Sequence, residues 1–295
     1  MLEAFAERRI NSGDAEIYLR MGGKGPPLLL LHGYPQTHVI WHRVAPLLAR
    51  DFTLVMPDLR GYGRSTGPEP DVEHRNYSKR AMARDMVAVM DVLGFEQFAV
   101  AGHDRGGRVG YRLCLDQPQR VTRYAALDIV PTLEVWEEMD ADRALSTYHW
   151  QFLAVPAPVP ERLIGADPAF YITHLLRRWA GRFEALDPQA VAAYVAQFSD
   201  PRVIAATCED YRAGASIDRA LDRADRDAGH KITCPVLALW GRGYKASASA
   251  SPAVVWRRWA DDVREVALDC GHFLVEEAPE ASAAALADFF TGGSE

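Results

Sequence analysis

Asp104 sits in the stretch Phe98-Ala99-Val100-Ala101-Gly102-His103-Asp104-Arg105-Gly106-Gly107-Arg108. The apolar start reads as a buried strand and breaks into Gly-x-Asp-x-Gly; Val109 to Leu115 then reads as a helix, stopped near Pro118. A strand, a sharp turn and a helix hold their central side chain clear of the backbone, and the glycines leave room for so tight a turn. Here that side chain is a carboxylate, where the familiar pattern has serine. A carboxylate held above the carboxyl end of a sheet can attack carbon and form an ester. Taken alone, the same turn is also an ordinary helix cap.

An ester on Asp104 has to be hydrolysed, which calls for a base to activate water and an acid to orient that base. Of nine histidines, His272 lies best, in Gly271-His272-Phe273 after the last predicted strand. Two places are open for the acid. The loop after Pro235–Trp240 reads Gly241-Arg242-Gly243-Tyr244-Lys245 and has no carboxylate, whereas Asp128 closes the strand Tyr124–Leu127. Asp128 is therefore the expected partner. His32-Gly33-Tyr34-Pro35 follows the apolar run Leu28–Leu31, and its backbone N–H groups would help hold a developing oxyanion beside the elbow. Gly63-Arg64-Ser65-Thr66-Gly67 matches the serine version of the pattern, but no strand precedes Ser65 and Pro68-Glu69-Pro70 denies it a helix, so it reads as a loop.

The elements that must position these groups follow from periodicity. Strands are expected at Ala15–Leu19, Pro27–His32, Phe52–Met56, at the elbow, and at Tyr124–Leu127, Pro235–Trp240 and Val263–Leu268. Helices are expected over Trp41–Leu48, from Ser78 to Leu93 with a serine cap, and over Ala278–Phe290. Strands alternating with helices predict a mostly parallel α/β sheet with helices on both faces. From Glu134 to about Arg223 no strand pattern occurs, and helical segments rich in Trp, Tyr and Arg alternate with breaks such as Val155–Pro160. This predicts an inserted helical cap over 133–223, between core segments 1–132 and 224–295. Ala246 to Ser251 alternates Ala and Ser and reads as a flexible loop.

The 295 residues are 48% hydrophobic, enough for a substantial core, and the net charge of −7 argues against nucleic acid or an anionic membrane as partner. Cys114, Cys208, Cys234 and Cys270 have no paired spacing for zinc or disulfides; no run of about 18 apolar residues and no cationic-then-apolar leader occurs. A cytoplasmic protein without a metal is expected.

With these residues in place, the sequence resembles the α/β-hydrolase superfamily, and within it the fluoroacetate (haloacetate) dehalogenases, essentially end to end. His32-Gly33-Tyr34-Pro35, Asp58-Leu59-Arg60-Gly61-Tyr62-Gly63-Arg64-Ser65 and Gly271-His272-Phe273 are shared with epoxide hydrolases and haloalkane dehalogenases. The sharper signals are Gly102 to Arg108, Tyr148-His149-Trp150-Gln151-Phe152 and Cys208-Glu209-Asp210-Tyr211-Arg212-Ala213-Gly214. The resemblance implies Asp104 as nucleophile, His272 and Asp128 completing a triad, and Arg105 with Arg108 gripping a substrate carboxylate. It further implies His149, Trp150 and Tyr211 around a departing halide, backbone N–H groups of Tyr34 and Arg105 as the oxyanion hole, a homodimer and no cofactor. The residue chemistry agrees: two arginines three apart at a helix start share a face and suit a small anion. An epoxide hydrolase would use the same triad with two cap tyrosines, such as Tyr211 and Tyr148, but would leave the arginines without a purpose. A haloalkane dehalogenase has no need of them either, and a non-catalytic receptor has no need of the triad.

Overall fold

The computed structural model describes residues 1–243 and 251–292. Eight strands form one sheet: β1 Ala6–Asn11, β2 Glu16–Gly23, β3 Pro27–Leu31, β4 Thr53–Pro57, β5 Phe98–His103, β6 Val121–Leu127, β7 Val236–Gly241 and β8 Val263–Leu268. Their spatial order is β1-β2-β4-β3-β5-β6-β7-β8. β1 with β2 and β2 with β4 are antiparallel, and every later pairing is parallel. The fold is the mostly parallel α/β-hydrolase sheet expected from the alternation of elements.

β3 shows how four consecutive leucines make a strand. Leu28 and Leu30 enter one buried cluster and Leu29 and Leu31 the other, because successive side chains leave opposite faces of a strand. Both faces of the sheet are thus covered, as parallel strands require. Helix Lys79–Val92 packs one face with Met82, Met86, Val89 and Met90, and Ser78 caps it by accepting the Ala81 N–H. Helix Pro279–Thr291 covers the other through Leu286 and Phe289.

Two local expectations are corrected. β1 was not foreseen, because Ala-Glu-Arg-Arg-Ile-Asn carries one buried apolar side chain and lies at the edge of the sheet. The predicted helix Trp41–Leu48 is two short pieces, a 3-10 turn His38–His42 and a single turn Ala45–Leu48.

Between β6 and β7 the chain carries helices and no strand, among them Thr132–Glu137, His149–Ala154, Pro168–Trp179, Pro188–Gln197, Pro201–Ala215 and Ile217–Asp227. Its underside meets the core through buried ion pairs: Arg105 with Asp210, Lys79 with Asp210 and Asp218, and Arg112 with Asp222. Of the Ala-Ser loop, Ala246–Ala250 lie outside the described residues; Ser251 caps the helix Pro252–Trp256 by accepting the Ala253 N–H. No helix among the described residues is long and apolar enough to cross a membrane.

Candidate active site

The elbow forms where β5 runs directly into the helix Asp104–Asp116. Asp104 itself takes a left-handed φ of 45°, a strained backbone for a residue with a side chain. The turn is possible because its neighbours lack Cβ atoms: one on Gly102 would lie 2.5 Å from the Gly106 carbonyl oxygen, and one on Gly106 would lie 2.3 Å from that of His32. Asp104 is thereby held above the sheet and nearly buried. Its Oδ1 accepts the Tyr34 N–H at 2.9 Å, so the expected oxyanion donor reaches the nucleophile. The Arg105 N–H lies in the first helical turn, where no intrahelical acceptor exists. Burial pushes the Asp104 carboxyl up, but His272, Arg105, His103 and Arg108 outweigh it, and the carboxyl lies below its ordinary range. At neutral pH the Asp104 carboxylate is ionised.

His272 follows β8 and is pinned on several sides. Its Nδ1 lies 2.6 Å from Asp128 Oδ2, its backbone N–H donates to the Trp179 carbonyl at 3.0 Å, and its carbonyl accepts from His103 Nε2 at 2.8 Å. The His103 ring lies against it with centroids 4.4 Å apart. Asp128 directly follows β6 at a φ of 55° and its Oδ1 accepts the Gly241 N–H at 3.1 Å. With Nδ1 held against Asp128, Nε2 is the ring atom that would serve as the expected base. Burial pulls the imidazole down to about 4, opposed by the Asp104 charge. A lowered histidine pKa keeps the ring neutral, and the base competent, at every pH above that value. Activity is therefore expected to hold from neutrality to about pH 5 and to fall only as pH nears 4. A kcat/KM profile with its acid limb at 6.5, the ordinary histidine value, would contradict this.

The arginines and cap aromatics meet over the elbow. The Arg105 guanidinium carbon lies 4.2 Å from the Tyr211 ring centre, and that of Arg108 lies 4.5 Å from that of Trp150. Trp150 and Tyr211 meet edge to face at 6.0 Å, and His149 approaches Tyr211 at 5.8 Å. Buried polar atoms here lack partners: Arg105 Nη1, Arg108 Nε and His149 Nδ1. Burial takes the His149 imidazole down to about 3, so the ring is neutral. The arrangement brings an ionised carboxylate, a neutral imidazole and two guanidinium groups together inside an enclosed site, where Asp104 is 8% and His272 and Tyr211 are each 2% exposed.

A model of the α/β-hydrolase fold family matches residues 26–279. A fluoroacetate dehalogenase from a Burkholderia species is 44% identical over 99% of this chain and 95% of its own length. The chain belongs to the haloacetate dehalogenase family of α/β-hydrolases. A soluble epoxide hydrolase of Corynebacterium shares 33% identity over 88% of this hydrolase and 87% of its own length. A Pseudomonas aeruginosa protein, provisionally named an epoxide hydrolase and solved as a single-substitution variant with bound MFA, superposes with a TM-score of 0.93. It is 46% identical, over 99% of this chain and 98% of that one.

Three contributors to the hydrolase site escaped the sequence reading. Trp179 lies 4.5 Å from the His149 ring and 5.8 Å from that of His272, His103 backs the base, and Asp210 holds Arg105. His103 and Asp210 stood inside motifs the sequence reading quoted, without a role of their own; Trp179 is a buried helix residue with no such signal. Ser65 is structural, donating to the Asp58 carbonyl at 2.7 Å and accepting the Tyr18 N–H at 2.9 Å.

Proposed function

We propose that the protein cleaves the carbon–halogen bond of haloacetates, converting fluoroacetate to glycolate and fluoride through an ester on Asp104. The carboxylate attacks the halogen-bearing carbon in line with the C–X bond, and halide departs toward His149, Trp150 and Tyr211. Water deprotonated by His272 then attacks the ester carbonyl, with the Tyr34 and Arg105 N–H groups holding the oxyanion and Asp128 steadying the imidazolium. Glycolate and a regenerated Asp104 carboxylate result. The same reading takes 1–132 with 224–295 as hydrolase core, 133–223 as cap, and a homodimer. It also places the protein in a reducing cytoplasm, in accord with four free cysteines.

The observation that carries this reading is the pair of buried guanidinium groups, each with an unpartnered N–H, beside the nucleophile. Such a pair suits a carboxylate and has no task with an epoxide. The relative named as an epoxide hydrolase keeps that second reading open to test. Fluoride and chloride release from fluoroacetate and chloroacetate, with styrene oxide as control, decides between them. Diol from styrene oxide without halide release would overturn the proposal.

The halide cradle separates fluoride from chloride. Fluoride is small and strongly hydrated, so a site that strips its water must return short, strong hydrogen bonds. Trp150→Phe keeps most of the ring volume and its packing on Arg108 but removes the indole N–H. One bond lost to developing charge costs roughly 1.5–3 kcal/mol, so defluorination is expected to fall by about 10-fold or more. Chloride, larger and less hydrated, loses less. Measuring kcat on both haloacetates checks this, and parallel losses would make Trp150 a packing residue.

A further inference from the structure

The two arginines over the elbow are held differently. Arg108 donates to neutral acceptors, the Val130 carbonyl at 2.9 Å and Thr132 Oγ1 at 3.2 Å. Arg105 is clamped by one carboxylate: its Nε lies 3.1 Å from Asp210 Oδ2 and its Nη2 lies 2.5 Å from Oδ1, with a further bond of 2.8 Å from Nη2 to the Asp210 carbonyl. Asp210 also accepts from the Tyr62 hydroxyl at 2.7 Å and from Lys79 Nζ. Lys79 in turn reaches Asp218, through its backbone N–H at 2.8 Å and its ammonium at 3.4 Å. Lys79, Arg105, Asp210 and Asp218 are all buried and balance in charge. Among the described residues no carboxylate clamps the Arg108 guanidinium in this way.

A guanidinium is a rigid planar fork. With Nε and Nη2 taken, the edge left to Arg105 is Nη1, buried and without a partner. Asp210 does this from the cap helix Pro201–Ala215, and the next residue, Tyr211, lays its ring 4.2 Å from the same guanidinium. One helical turn of the cap thus fixes Arg105 from behind and packs it in front. We propose that Asp210 is a positioning residue for carboxylate recognition: it aims the Nη1 edge of Arg105 at the substrate carboxylate when the cap is seated, while Arg108 supplies the unbalanced positive charge. This rests on the haloacetate reading.

Asp210→Asn keeps the shape but breaks the two-toothed clamp. Lys79→Met combined with Asp210→Asn removes one charge of each sign and keeps the buried balance, so it decides the matter if the single variant folds poorly. Each is compared with wild type for kcat and KM on chloroacetate, for inhibition by acetate and by uncharged acetamide, and for Tm. The chloroacetate KM and acetate Ki are expected to rise by about 10-fold or more in both variants, with kcat less affected and the acetamide Ki unchanged. An acetate Ki within about twofold of wild type in the folded double variant, or tighter, would overturn the proposal; so would parallel losses toward acetate and acetamide. A wild-type protein that neither releases halide nor binds acetate would instead defeat the haloacetate reading itself.

Discussion

His272→Asn protein mixed with chloroacetate is expected to release one equivalent of chloride and stop, with the peptide holding Asp104 heavier by one carboxymethyl group. The two half-reactions ask for different groups. Displacement of halide needs an ionised carboxylate in line with the C–X bond, and Asp104 is ionised with its Oδ1 against the Tyr34 N–H. Hydrolysis of the ester needs a base, and the buried imidazole pinned by Asp128, His103 and Trp179 is placed to be it. Loss of a general base costs about 10²- to 10⁴-fold, enough for the ester to outlast the digestion and mass measurement. Full halide release with an unmodified Asp104 would mean that water attacks carbon directly, and the ester mechanism would be wrong.

The second large effect is at Arg108. Arg108→Leu removes the guanidinium that donates to Val130 and Thr132 and packs on Trp150, at a site 3% exposed. A charge-assisted bond contributes roughly 1.5–3 kcal/mol, so kcat/KM on haloacetates should drop by about 10- to 150-fold. An uncharged haloacetamide, lacking the carboxylate, should lose much less. Equal losses on both substrates would assign Arg108 to scaffolding.

How much of this could be read beforehand follows the range of the interactions. The elbow, β3 and the serine-capped helix Lys79–Val92 were legible because glycine sterics, apolar runs and caps act over a few residues. Asp128 was reached by eliminating a loop with no carboxylate, and its bond to His272 spans 144 positions. Arg105 and Arg108 were legible as a pair on one helical face. Their unequal surroundings were not, because the distinction depends on Asp210, 105 positions further along the chain. A buried aspartate on a cap helix carries no local mark of the cation it will meet. β1 was lost for the opposite reason, since a polar edge strand has too little apolar patterning to stand out.

The ion pairs along the cap–core seam bear on how the molecule comes apart. Asp210, Asp218 and Asp222 stand on helices between β6 and β7, while Lys79, Arg105 and Arg112 stand on the helices Lys79–Val92 and Asp104–Asp116, and all six are buried. Deleting one partner of such a pair while the other stays buried costs about 3–5 kcal/mol, because a lone charge is then held away from water. Replacing a single partner along that seam is therefore expected to lower the Tm of the whole chain by more than replacing both partners of a pair together.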